Sequence, residues 1–245
     1  MTEARTQRVT ASSWRLLDLE RGDARTLVQA GAALLEALAE DPTPVARWYR
    51  ASVPALVLGR GQGPIAEISG RGLPRVTRHS GGGAVLLDDA LLSLDLLIPA
   101  DHPLVAGSLS DAFIRVGEVW AGAIADLGVG EVSVHRGPSQ ARRRGSDRAQ
   151  LLAAICYATL GRGEVAVGGR KLVGLAQRRR RAGALIQCGL LRRWNPDAVL
   201  DALGKPFPDP DVAARAVGLD QLVHPAPSDD AVMTAVMARL EAASG

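Results

Sequence analysis

Two residues in this sequence have the types needed for nucleophilic and electrophilic chemistry. One is Cys156, in Ile155-Cys156-Tyr157. The other is Lys171, in Gly168-Gly169-Arg170-Lys171-Leu172-Val173-Gly174-Leu175-Ala176-Gln177. A thiol can serve as a nucleophile when a nearby cation lowers its pKa. A lysine presented by a strand can polarise a carbonyl or neutralise a phosphate, and Gly174 leaves room beside it. Of 29 basic residues only Lys171 and Lys205 are lysine, so a lysine here marks a place where a planar guanidinium will not serve. Plainer uses exist for both. A lone cysteine among apolar neighbours packs as an inert thiol, and an edge-strand lysine discourages aggregation.

The run Arg78-His79-Ser80-Gly81-Gly82-Gly83-Ala84-Val85 is the third candidate. Glycines after a strand let the backbone approach a ligand and aim N–H groups at it, while Arg78 and His79 add donors for a carboxylate or phosphate. The same run also suits a flexible hairpin turn. Two arginine clusters, Arg142–Arg144 and the Arg178–Arg181 run after Gln177, read as solvated faces or as docking sites for an acidic partner. His79, His102, His135 and His224 lack metal-ligand spacing, so no metal site is expected.

The elements that must position these residues follow from periodicity and turn signals. A first strand is predicted over Trp14–Leu19, then a helix from the Asp23 cap to about Glu40 with Leu27, Ala30, Leu34 and Leu38 on one face. Strands follow at Val45–Arg50, Ala55–Gly59, Pro74–Arg78, Ala84–Leu87 and Leu91–Ile98. A helix over Ser110–Leu127 buries Phe113, Val116, Val119 or Trp120, and Ile124. Residues 136–148 read as a mobile basic loop. Strand-like segments are expected at Leu151–Tyr157, Glu164–Val167, Lys171–Ala176 and Ala184–Leu191. Helices over Pro196–Leu203, Asp211–Val217 and Asp229–Ala243 close the chain. Runs of strands with few, unevenly placed helices predict an α+β fold. One domain is expected over 1–245, with a core at about 14–203 and a helical C-terminal extension at 204–245.

Composition sets the outer bounds. At 245 residues, 47% hydrophobic and 22% charged, the chain is of ordinary globular type. No apolar stretch is long enough for a bilayer span, and the first ten residues lack a signal-like apolar core, so a cytoplasmic protein is expected. Two cysteines make no disulfide framework. Aromatics at 3% and a net charge of +3 argue against nucleic-acid binding, which stacks bases on aromatic platforms.

Taken together, four ordered elements resemble the lipoate–protein ligase and octanoyltransferase family. Leu58-Gly59-Arg60-Gly61-Gln62 looks like its L-G-x-x-Q, and RHSGGGAVLLDD looks like R-R-x-G-G-G-A-V-x-H-D. GGRKLVGLAQRR and GALIQCG look like G-R-K-x-x-G-x-A-Q-R and G-x-x-x-Q-H-G. The resemblance implies the biotin/lipoate protein ligase catalytic fold, a mixed, largely antiparallel sheet flanked by helices and cradling a medium-chain acyl group. It implies that Arg78, His79, Ser80, Gly81, Gly82 and Gly83 line the acyl pocket, that Lys171 holds the acyl carbonyl, and that Gln62, Asp88, Gly174 and Gln177 complete the binding site. The product would be an amide between octanoate or lipoate and a lysine of a lipoyl carrier domain, in 2-oxoacid dehydrogenases or the glycine cleavage H protein.

Within that family, ATP-dependent ligases form an acyl-adenylate with ATP and Mg, often carry an accessory domain, and usually show a G-R-N-D-like segment. Here the matching place reads Ile155-Cys156-Tyr157-Ala158, with Glu164 in step, which is similar to the branch that moves octanoate from acyl carrier protein through a Cys thioester without a cofactor. The early end of the chain agrees with that branch. The sequence departs from the family pattern at His79, at Leu87 and at Cys188, which stand where the family has Arg, His and His. Those departures leave a non-catalytic acyl or carrier binder as a further alternative.

Overall fold

The structure is a computed structural model that describes residues 13–62, 72–141, 145–205 and 207–244. Among the described residues ten strands form two sheets. The larger is built from β1 (Arg15–Gly22), β2 (Val45–Ala51), β6 (Leu91–Pro99), β7 (Val132–Val134), β8 (Val165–Val167), β9 (Arg170–Arg179) and β10 (Gly183–Leu191), in the order β1-β2-β6-β10-β9-β8-β7. β1 and β2 run parallel and every other neighbouring pair runs antiparallel. The smaller sheet joins β3 (Ala55–Leu58) to β4 (Arg75–Thr77) in parallel and to β5 (Val85–Leu87) in antiparallel. This is the α+β arrangement expected, a mixed and largely antiparallel sheet flanked by helices.

Helices α1 (Ala24–Ala37), α2 (Leu109–Asp126), α3 (Asp147–Ala154), α4 (Pro196–Ala202), α5 (Pro210–Ala213) and α6 (Asp229–Ala242) pack around the sheets. Each has a side-chain N-cap, which satisfies amides that the first turn leaves open. Asp23 accepts from Arg25 and Thr26 ahead of α1, and Ser108 forms a reciprocal capping box with Asp111 ahead of α2. β6 is buried at every residue, as a strand covered on both faces must be. On one side it packs with α2 and α6. Val232, Val236 and Leu240 of α6 share one apolar core with Leu94, Val116 and Trp120, so residues beyond 203 help build the main core.

Several elements differ from the sequence reading. Leu151–Tyr157 is no strand: Ser146 caps α3, which ends at Ala154, and Cys156–Ala158 forms a 3-10 turn. That also ends the basic loop two residues early; Arg142–Arg144 lie outside the described residues. The buried face of α1 carries Leu27, Val28, Gly31 and Leu35, with Leu38 buried at its C-cap. Ala30 and Leu34 are only half-buried. The helix expected over Asp211–Val217 is the four-residue α5, and Ala216 instead bridges Lys171 in parallel. Both Val119 and Trp120 are buried in α2, while Phe113 is half-buried.

Candidate active site

A cavity with an open mouth lies between the two sheets. Its walls include Val57, Val85 and Leu87 from the small sheet, Leu91 and Ala176 from the large one, and Val28 from α1. Cys156 and Tyr157 line it as well, beside Gly174 and Gly189. The lining is mostly apolar, with a few polar groups at set positions, which suits a medium-length hydrocarbon chain.

Three local features bring the thiol to this wall. Ser146 and Asp147 start α3, which runs toward the cavity and ends two residues before Cys156. The glycine-rich loop is then stitched to that segment. Ala84 N donates to Ala154 O at 2.7 Å and Cys156 N donates to Ala84 O at 2.9 Å. Gly83 makes this approach possible: a Cβ there would stand 2.7 Å from Cys156 N and 2.9 Å from the Ile155 carbonyl carbon. Gln62 clamps the same place from the other side, accepting from Gly59 N at 2.9 Å and donating to Ala154 O at 2.9 Å.

Lys171 arrives from β9. Val165 pairs with Val173 while Ala166 pairs with Lys171, so Leu172 is an extra residue, a bulge that turns Lys171 onto the face shared with Gly174. Its ammonium, 1% exposed as a residue, lies 2.7 Å from Cys156 O, 3.2 Å from Thr159 O and 3.7 Å from Cys156 Sγ. It forms an ion pair with Glu164 at 2.6 Å. Burial pulls the Lys171 pKa down, but the Cys156 and Glu164 charges more than offset it, and the group sits above its ordinary value. Gly174 and Gly189 pair across β9 and β10, and the Tyr157 ring fills the gap that they leave. The Tyr157 hydroxyl donates to Gly189 O at 2.7 Å, and a Cβ on Gly174 would stand 3.3 Å from Lys171 Cε.

The remaining sequence-predicted residues take four kinds of place. Arg78 is buried and lines the cavity, yet its guanidinium holds the glycine loop from behind, donating to Gly81 O at 2.7 Å and Gly83 O at 2.9 Å. Ser80 is buried and donates to Gln187 Oε1 at 2.6 Å. His79 is exposed and is not among the lining residues. Gly81 and Gly82 are exposed in the loop, with Gly82 at φ +103°. Asp88 lines a second, smaller cleft with Val85, Tyr157 and Trp194, and burial raises its pKa. Gln177 does not line the cavity. Alternation from Gly174 and Ala176 turns it to the other face of β9, where its neighbour Arg179 holds Gly107 O and Ser108 O ahead of α2.

Sequence reasoning missed a buried polar chain behind the cavity. Arg47, 2% exposed, donates to Asp95 at 3.0 Å, and Asp95 accepts from Gln187 Nε2 and the Tyr49 hydroxyl, each at 3.3 Å. Burial raises Asp95 to about 6 against the pull of Arg47. An aspartate inside the apolar run LLSLDLLIP was the available signal. Cys188 is buried at the cavity wall with its pKa pushed up to about 12 by burial. Among the described residues no group of three or more His, Cys, Asp or Glu could hold a metal ion, and no helix is long and apolar enough to cross a membrane.

Residues 23–241 match the family described as the lipoyl protein ligase A/B catalytic domain. The chain belongs to that family. Among curated relatives it is 34% identical over 203 residues to Octanoyltransferase LipM of Moorella thermoacetica, covering 80% of this chain and 71% of that one. It is 29% identical to Octanoyltransferase LipM of Kyrpidia tusciae, over 79% of this chain and 71% of that one. Among solved structures it superposes on lipoate-protein ligase A bound with ATP at TM-score 0.70 and 17% identity, over 96% of this chain and 85% of that one. A bi-partite lipoate protein ligase from Thermoplasma acidophilum gives TM-score 0.69 at 17% identity, over 96% and 84% of the two chains. At that identity the structures speak for the fold; the lipoyl-ligase A/B fold is the shared frame.

Proposed function

We propose that this chain moves an octanoyl group from acyl carrier protein to a lysine of a lipoyl carrier domain, through a thioester on Cys156 and without a cofactor. The observation that carries the reading is Cys156 Sγ, 3.7 Å from the Lys171 ammonium on the wall of an apolar cavity. Relatives named Octanoyltransferase LipM support the choice of octanoyl transfer over ligation.

In the first half-reaction the Cys156 sulfur attacks the carbonyl of the donor thioester and the carrier thiolate leaves. The octanoyl chain lies between the sheets, where each buried methylene contributes about 0.8 kcal/mol. Lys171 neutralises charge that develops on the carbonyl oxygen and on sulfur, in a site where burial strengthens that interaction. In the second half-reaction the acceptor lysine amine attacks the Cys156 thioester, a C–N bond forms as the C–S bond breaks, and the sulfur leaves beside the same ammonium and takes up the proton that the amine gives up. One thioester is exchanged for another and then for an amide, so the energy comes from the donor and ATP has no part. The acceptor is a lipoyl domain of a 2-oxoacid dehydrogenase or the glycine cleavage H protein. Gln62, Arg78 and Gly83 set the position of the thiol and of the loop beside it.

The reading is tested by mixing the purified chain with octanoyl-acyl carrier protein and a lipoyl domain in the absence of ATP. The expected result is one octanoyl group on the domain, lost when Cys156→Ser replaces the wild type. Modification that requires ATP and free octanoate or lipoate, with none from the carrier-bound group, would refute it.

A further inference from the structure

Lys171 stands close enough to the acyl-bearing sulfur to be a rival acceptor. Its surroundings differ between the two stages of the proposed reaction. From the 3-10 turn it meets the Cys156 and Thr159 carbonyls, Cys156 Sγ and the Tyr157 ring, whose centroid is 5.1 Å from Nζ. From the approach to β8 it meets Glu164, whose carboxylate is locked in place. Oε2 accepts from Gly161 N at 2.6 Å and pairs with Lys171 at 2.6 Å, while Oε1 accepts from Leu175 N at 3.1 Å. Among the described residues Arg78 is the cation that lines the cavity wall.

Before acylation, a Cys156 thiolate and Glu164 can both balance the ammonium. Once the sulfur carries an acyl group its charge is gone, and among the described residues Glu164 is the one carboxylate paired with Lys171. A buried ammonium without a counter-charge gives up its proton. A neutral lysine amine is a nucleophile, and this one lies 3.7 Å from the sulfur to which the carbonyl carbon is bonded.

We propose that Glu164 guards the acyl-enzyme, holding Lys171 as an ammonium so that the acyl group waits for the acceptor lysine instead of passing to Lys171. The side reaction it prevents is balanced. Lys171 Nζ attacks the thioester carbonyl, a C–N bond forms, the C–S bond breaks, and a proton from nitrogen goes to the Cys156 sulfur. The result is an octanoyl amide on Lys171 and a regenerated thiol, a dead end because the amide neither returns the group nor carries a charge. Glu164 touches neither thiol nor acyl group and is a positioning residue. The inference rests on the reading of Cys156 as the acyl carrier.

The test compares wild type with Glu164→Gln, each mixed with octanoyl-acyl carrier protein without acceptor. Intact mass is read before and after hydroxylamine, which cleaves thioesters and spares amides. The expected wild-type adduct is wholly labile. The variant is expected to lose labile adduct with time and gain a resistant one of the same mass, mapped to Lys171, faster as pH rises and absent when Lys171→Arg is added. Wild type held as acyl-enzyme at alkaline pH should form the same amide, a readout that stands even if the variant does not fold. A labile adduct on wild type with no amide on Lys171, in the folded variant or in alkaline wild type, overturns the inference alone. No adduct on wild type at all overturns the thioester reading and the inference with it.

Discussion

Gly83→Ala is the sharpest test of how the glycine loop serves the thiol. The added Cβ would stand 2.7 Å from Cys156 N, 2.9 Å from the Ile155 carbonyl carbon and 3.0 Å from Ala154 O. All three are backbone atoms, so no side chain can swing aside. Reaching the 3.4 Å of ordinary contact requires the loop and the 154–156 segment to part by about 0.7 Å. That parting strains the two hydrogen bonds that stitch them together, from Ala84 N to Ala154 O and from Cys156 N to Ala84 O. At about 0.5–1.5 kcal/mol each, their loss costs about 1–3 kcal/mol. For a chain of this size the melting temperature then falls by roughly 2–12 °C. A thiol displaced by this much slows acyl-enzyme formation by about 10- to 100-fold, since a misplacement near 1 Å costs on the order of 10²-fold. The assay is single-turnover acylation of Cys156 from octanoyl-acyl carrier protein, alongside a thermal melt. Gly81→Ala, where a Cβ meets nothing within 4 Å, serves as the stability control and should melt with wild type. Acylation by Gly83→Ala within threefold of wild type, with an unchanged melt, would refute the reasoning.

Other substitutions and conditions probe the buried charges. Lys171→Met strands a buried Glu164 carboxylate and should destabilise the fold by about 3–5 kcal/mol in denaturant titration, besides abolishing transfer; a loss under 1 kcal/mol would contradict the pairing. Asp95 binds its proton more tightly when folded, at about 6, than at its ordinary 3.8. Its contribution to stability is therefore full below about pH 4 and is lost as pH rises through 6. The difference is worth on the order of 3 kcal/mol. Asp95→Asn should remove that slope from stability measured between those limits, and an unaltered slope would argue against the assignment. Cys188, buried and pushed up to about 12, should resist an alkylating reagent on the native chain while Cys156 reacts, as peptide mass mapping would show.

How far the sequence reaches depends on the range of the interactions concerned. Motif residues at local spacing were legible: Gln62, Gly83, Cys156 and Lys171 do converge, because each is aimed by its own strand end, turn or bulge. Leu151–Tyr157 misleads because a short apolar run has no period to separate strand from buried helix, although Ser146 and Asp147 mark a helix start. The Arg47–Asp95 pair joins neighbouring strands 48 residues apart, and burial of that kind leaves no local pattern. Gln177 fell on the far face because the bulge at Leu172 resets which side of β9 each later residue takes. His79 reads as a ligand beside Arg78, yet the loop turns it outward while Arg78 folds back under the glycines.

The central claim is that Cys156 carries the acyl group, and the most direct measurement is the intact mass of the purified chain after brief mixing with octanoyl-acyl carrier protein and no ATP. A single octanoyl adduct is expected, released by hydroxylamine, mapped to Cys156 and absent from Cys156→Ser. A chain of unchanged mass that nonetheless octanoylates a lipoyl domain, or a Ser variant that transfers as fast as wild type, would contradict it.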